Sequence, residues 1–216
     1  QSPGAFPNEN NIAYYRRRAE ADVGLILSEG TLTRRKGASN DANIPLFWGE
    51  EALAGWKKVI DAVHAAGGKM GPQIWHQGMS RKPGTGHFPD APSDGPSGIT
   101  LTGKKIGDEP SEAEVIDMAQ AYADAAADAK RLGFDVIELH GAHAYLIDEF
   151  FWPVTNQRTD RFGGASIEQR SEFAAEVIRR CRAAIGDLPM IIRVSQWKSV
   201  DYNAKLATTP QEMETW

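Results

Sequence analysis

In the stretch FDVIELHGAHAYLIDEFFWP, residues 134–153, an apolar run ends in His140, His143 and Tyr145. Two chemistries use these side chains at this spacing. Neutral imidazoles three residues apart can ligate a divalent metal, with Glu138, Asp148 or His76 as further ligands, as in a metal-dependent hydrolase. Alternatively, the imidazoles hold a substrate oxygen while negative charge develops on it, and Tyr145 supplies a proton. A phenol with an ordinary pKa of about 10 is a weak acid, so it serves a strongly basic, enolate-like centre.

The elements that carry these residues follow from apolar spacing. Alternation along the strand after Gly133 puts Val136, Glu138 and His140 on one side and Ile137 and Leu139 on the other. Polar groups on a face where a core would pack must be paired or used. Gln73 and Trp75 share a face of KMGPQIWHQG, and Arg193 stands among Ile191, Ile192 and Val194. Glu138 with Arg193 alone reads as a buried ion pair. Together with Gln73 and His140, all near strand ends, they point to a site.

Four helices alternate with four strands. Ile12, Tyr15 and Ala19 share a helix face before the strand VGLILSEG, and Leu53, Trp56, Ile60 and Val63 form the stripe of a helix that stops at Gly67 and Gly68. Capping boxes at Ser111 with Glu114 and at Ser166 with Gln169 open two more helices, closed by Gly133 and Gly186. Nearly continuous apolar strands predict a parallel sheet covered on both faces, an α/β architecture. The connection of about thirty residues after the second strand is far longer than the usual handful and predicts a functional loop, while the helix-to-strand turns are tight.

Composition excludes several classes. The 216 residues are 41% hydrophobic and 25% charged with a net charge of -5, and the short basic runs YYRRRAE and TRRKG lie beside acidic residues, so nucleic acid is not an expected partner. No segment has the length and apolarity of a membrane span, and the beginning QSPGAFPNEN has no signal-peptide pattern. The single cysteine, Cys181, reads as an inert core residue in a reducing compartment, and the chain is expected to be cytoplasmic. His64 and His87 are expected to face solvent, and Arg158, Asp160 and Arg170 to brace the loop after the third strand.

The segments YYRRRAEADVGLILSEGT, GPQIWHQG, GFDVIELHGAHAYLIDEFFWPVTNQRTDRFGGASIEQR and IIRVSQ make the sequence recognisable. It resembles the Old Yellow Enzyme family, FMN-dependent ene-reductases and NADH:flavin oxidoreductases built on a (β/α)8 TIM barrel. The resemblance implies that Gln73 hydrogen-bonds the flavin pyrimidine edge, that Gly30 is the small residue beside the isoalloxazine, and that Arg193 lies by the flavin N1 and C2 carbonyl. A fixed cation there favours anionic reduced flavin. It further implies that His140 and His143 bind a carbonyl oxygen, that Tyr145 is the proton donor and that Trp75 lines the substrate pocket. Hydride would pass from NADPH or NADH through FMN to the β-carbon of an enone or related activated alkene, with no resident metal.

The chain reads as a single partial barrel domain over 1–216, about half to five-eighths of the (β/α)8 set. No strand precedes the first helix, and Thr209, Pro210 and Glu212 open a helix just before Trp216, so both ends read as cut. Open sheet edges invite pairing with another chain. A non-catalytic piece of such a barrel is therefore the competing expectation, and helix faces ending at Ala66 and Ile185 leave homo-oligomers open.

Overall fold

The structure, a computed structural model, describes residues 2–198 and 200–216. Helix α1 (Glu9–Glu20) leads to strand β1 (Ile26–Leu32), α2 (Glu50–Ala65) to β2 (Met70–Trp75), and α3 (Glu112–Leu132) to β3 (Ile137–Gly141). Two short helices, α4 (Leu146–Phe151) and α5 (Ile167–Arg170), precede α6 (Glu172–Ile185) and β4 (Met190–Val194). A two-stranded antiparallel sheet of β5 (Trp197–Lys198) and β6 (Asp201–Lys205) follows, then α7 (Pro210–Thr215).

Local chemistry sets most boundaries. Ser111 accepts from the Glu114 amide while the Glu114 carboxylate accepts from the Ser111 backbone, the reciprocal cap expected at the start of α3. Gly133, at φ 92°, ends that helix in the left-handed region that a glycine enters without steric cost. The second capping box, Ser166 with Gln169, is also present but opens only the four-residue α5. The single helix expected from Ser166 to Gly186 is broken at Ser171, whose hydroxyl donates to the Ile167 carbonyl. Arg170 anchors the preceding turn by donating to the carbonyls of Phe151, Gly164 and Ala165.

The four long strands are parallel, in the order β1-β2-β3-β4. Sequential order is what successive barrel units produce, whereas a doubly wound sheet reverses direction at a switch point. The central strands β2 and β3 are buried on both faces, as expected, but the two faces are covered differently. Met70 and Ile74 of β2 and Ile137 and Leu139 of β3 join Trp56, Val63, Tyr122, Phe173 and Val177 of the helices in one core. Gln73, Trp75, Glu138 and His140 alternate to the other face, outside that helix-covered core, where Trp75 packs with Leu32, Ala38 and Tyr145. That inner face is where the polar residues collect.

Candidate active site

Register brings the inner-face residues into rows. Gly30 pairs with Gln73, Gln73 with Glu138, and His140 with Arg193. Glu138, only 1% exposed, accepts through one oxygen, Oε1, from Gln73 Nε2 at 2.9 Å and from Arg193 Nε at 2.7 Å. Three strands thus converge on a single carboxylate oxygen.

At the carboxyl end of β3 the three aromatic side chains meet. The His140 ring centroid lies 5.1 Å from that of His143 and 5.0 Å from that of Tyr145, and Trp75 meets Tyr145 edge to face at 4.9 Å. Burial, then the neighbouring His143 and Arg193, lower the His140 pKa to about 3, so the ring is neutral at ordinary pH. Its Nδ1 accepts the Ala142 amide at 3.3 Å, which leaves the proton on Nε2 as a donor. Burial also raises the Tyr145 hydroxyl, keeping it protonated and able to give a proton.

The turn that carries His143 is strained. His143 and Ala144 have φ of 62° and 59°, a region costly for side chains with a Cβ. Asp148 holds it: Oδ2 accepts the Ala144 amide at 2.7 Å, and Oδ1 pairs with Lys198 Nζ from β5. Tyr145 then begins α4, whose first amide, Leu146, donates to the His76 carbonyl at the end of β2. Beside Trp75, a Cβ added at Gly30 would approach the indole ring at 3.1 Å, so glycine keeps that part of the face flat and free.

Several residues expected near the site do something else. His76 is fully buried; its Nε2 meets Asp94 Oδ2 at 2.9 Å and its Nδ1 accepts from Gly78, so both nitrogens are committed. Asp94 in turn binds Arg35 through both oxygens. With Asp148 held by Lys198 and Glu138 by Gln73 and Arg193, the metal reading loses its further ligands. Among the described residues, no group of three or more His, Cys, Asp or Glu side chains converges to hold a metal. His64 pairs with Asp135 at 2.9 Å and His87 meets the Ile44 carbonyl at 3.3 Å, so neither is merely solvent-facing. Arg158 does brace its loop, through Asp160 and the carbonyls of Pro96 and Pro110.

Sequence reading passed over Lys198 and Glu149. A lone lysine after a strand reads as surface, and its burial follows only from the β5–β6 hairpin folding it onto α4. Glu149 is fully buried; burial raises its carboxyl well above the ordinary range, and its Oε1 accepts the Met79 amide. A hollow of about 410 Å³ under the long connection is lined by residues such as Arg35, Met79, Asp94 and Met118, apart from the inner-face row.

The model of the NADH:flavin oxidoreductase / NADH oxidase family matches residues 1–215. The chain belongs to this family. The flavin oxidoreductase hxnT of Emericella nidulans is 39% identical over 198 residues, covering 88% of this chain and 50% of that protein. The solved structure of morphinone reductase in complex with tetrahydroNAD superposes with a TM-score of 0.81 at 31% identity, over 90% of this chain and 57% of that one. The old yellow enzyme homologue from Zymomonas mobilis gives 0.81 at 30% identity, over 98% and 60%. The chain spans about half the length of the curated relatives it matches. Its four β/α units are accordingly part of a TIM barrel of the Old Yellow Enzyme type, a family of FMN-dependent oxidoreductases that use NADH or NADPH. The inner face suits FMN: Gly30 leaves a flat place, and an amide and a guanidinium on the two strands that flank β3 match an imide edge. No helix among the described residues is long and apolar enough to cross a membrane.

Proposed function

We propose that this face holds FMN and serves the reduction of an α,β-unsaturated carbonyl compound. The observation that carries the reading is the neutral His140, with its Nε2–H free to donate, packed against Tyr145 on the same face as the Gln73–Glu138–Arg193 row. Gln73 and Arg193 would hold the pyrimidine edge of the flavin, and Gly30 would border its ring. FMN, when bound, supplies hydride taken from NADPH or NADH.

The remaining work belongs to the side chains. His140 and His143 would grip the carbonyl oxygen of the substrate, and the Nε2–H of a neutral imidazole stabilises the negative charge that gathers there as the β-carbon is reduced. Tyr145, protonated because burial raises its hydroxyl, would deliver a proton to the α-carbon. Trp75, edge to face with Tyr145, would wall the substrate side and hold the phenol in place.

The test is a flavin titration followed by anaerobic kinetics. The chain should take up FMN with a change in its visible spectrum, bleach with NADPH or NADH, and regain colour with cyclohexenone. Tyr145→Phe should slow the second half-reaction by about 100-fold or more and leave the first near its original rate. A chain that stays colourless with FMN, or a variant with both half-reactions unchanged, overturns the reading.

A further inference from the structure

We propose that Glu138 is the positioning residue of this face, fixing how Gln73 and Arg193 are presented and so which ligand edge the face can read. The proposal rests on the flavin reading above. Glu138 is buried, and its Oε1 accepts from side chains on the strands to either side, Gln73 of β2 and Arg193 of β4. A carboxylate only accepts hydrogen bonds, so its position settles the direction of each partner.

For Gln73, the NH2 end of the amide must turn toward Glu138. The amide oxygen and the second N–H are then left for a ligand. For Arg193, Nε is committed to Glu138, while Nη1 and Nη2 make no hydrogen bond to protein among the described residues. The face therefore offers an acceptor followed by donors, the complement of an imide N–H flanked by carbonyl oxygens. Without Glu138 the Gln73 amide is free to turn over, since its two ends are nearly equal in shape. An NH2 group would then confront the imide N–H.

Charge adds a second consequence. Arg193 is half-exposed, and the carboxylate against its Nε offsets part of its positive charge. A ligand on this face experiences the pair rather than a lone guanidinium, so Glu138 moderates how strongly a reduced, anionic ring is favoured.

Two variants separate these effects. Glu138→Gln keeps an accepting oxygen and removes the charge; Glu138→Leu removes both. Each is read in two ways, by FMN titration with the midpoint potential of the bound flavin, and by nitrogen-resolved NMR of the Arg193 Nε–H and the Gln73 amide in flavin-free protein. Glu138→Leu should weaken FMN by about tenfold or more, the effect of losing charge-assisted hydrogen bonds that preorganise the site. Glu138→Gln should weaken it by less than about threefold while moving the potential positive, because the full Arg193 charge then faces the reduced ring. Both variants should move the two side-chain resonances without flavin present.

The failures are distinct. If the wild-type chain takes up no FMN, the flavin reading fails and recognition of an imide falls with it. If the wild type binds FMN but both variants match it in affinity and potential, the flavin reading stands and the role of Glu138 is overturned. Side-chain resonances unmoved in both variants overturn it equally, because the Gln73 and Arg193 contacts to Glu138 would then not exist in solution.

Discussion

Asp148 and Lys198 form an ion pair in which both side chains are fully buried, with Oδ1 and Nζ 2.5 Å apart. Burial raises the Asp148 carboxyl and lowers the Lys198 ammonium from their ordinary values, each opposed by the other. The pair also ties the β5–β6 hairpin to the strained turn at His143 and Ala144, because Asp148 Oδ2 takes the Ala144 amide. Lys198→Met leaves a carboxylate without its cation and should cost about 3–5 kcal/mol in urea unfolding. Adding Asp148→Asn should recover much of that loss, since an amide oxygen still accepts the Ala144 N–H and no charge is stranded. A single-variant loss below about 1 kcal/mol, the range of an exposed pair, would sink this role.

His140 makes stability fall in acid. Its pKa is 6.5 as an ordinary group and about 3 in the fold, so between those values the unfolded chain binds the proton and the folded one does not. The lowered value leaves stability unaffected above pH 6.5 and drains it as the pH falls toward 3. Across that window the wild type should lose about 1.4 kcal/mol per pH unit relative to His140→Asn. Parallel unfolding curves for the two proteins from neutral pH downward would show that the imidazole is not held neutral.

Arg81 organises the long connection after β2. Arg81 is 2% exposed, and its guanidinium donates to the carbonyls of Ser39, Thr85, Phe88 and Ala91 rather than to a carboxylate. Arg81→Met should release the segment between Lys82 and Ser93 while leaving the helix signal in circular dichroism intact. Limited digestion with subtilisin, whose specificity is broad, should then cut within residues 82–93 at least about tenfold faster than in the wild type, the consequence of local opening costing about 1.4 kcal/mol less. Equal digestion rates would contradict this.

Cys181 should be chemically silent in the folded chain. It is fully buried on α6, and burial pushes its thiol up to about 12, so almost no thiolate exists at pH 8. A thiol reagent should label it only as the protein unfolds, at a rate that follows denaturant. Rapid stoichiometric labelling of native protein would mean that α6 does not pack as described.

Much of the framework is written locally. A cap such as Ser111 with Glu114, or a left-handed stop such as Gly133, involves atoms a few residues apart, so α3 was readable end to end. Alternation in β3 likewise separated Glu138 and His140 from Ile137 and Leu139, and the two sets do lie on opposite faces. The break at Ser171 and the β5–β6 hairpin were not readable. The first depends on Arg170 reaching back to the Phe151 carbonyl, the second on strands of two and five residues.

The site divides in the same way. Residue types and spacing mark His140, His143 and Tyr145 as candidates, and their three rings do lie together, because one strand end and the turn after it carry all three. That Glu138 serves Gln73 and Arg193 through one oxygen, that His76 turns away to Asp94, and that Lys198 is buried against Asp148 were decided by the tertiary structure alone. Glu138 is 65 residues from Gln73 and 55 from Arg193, and their meeting depends on strand register and on which sheet face the helices cover. A period of two tells the faces apart but does not say which one is packed, because that choice is made by contacts between distant elements.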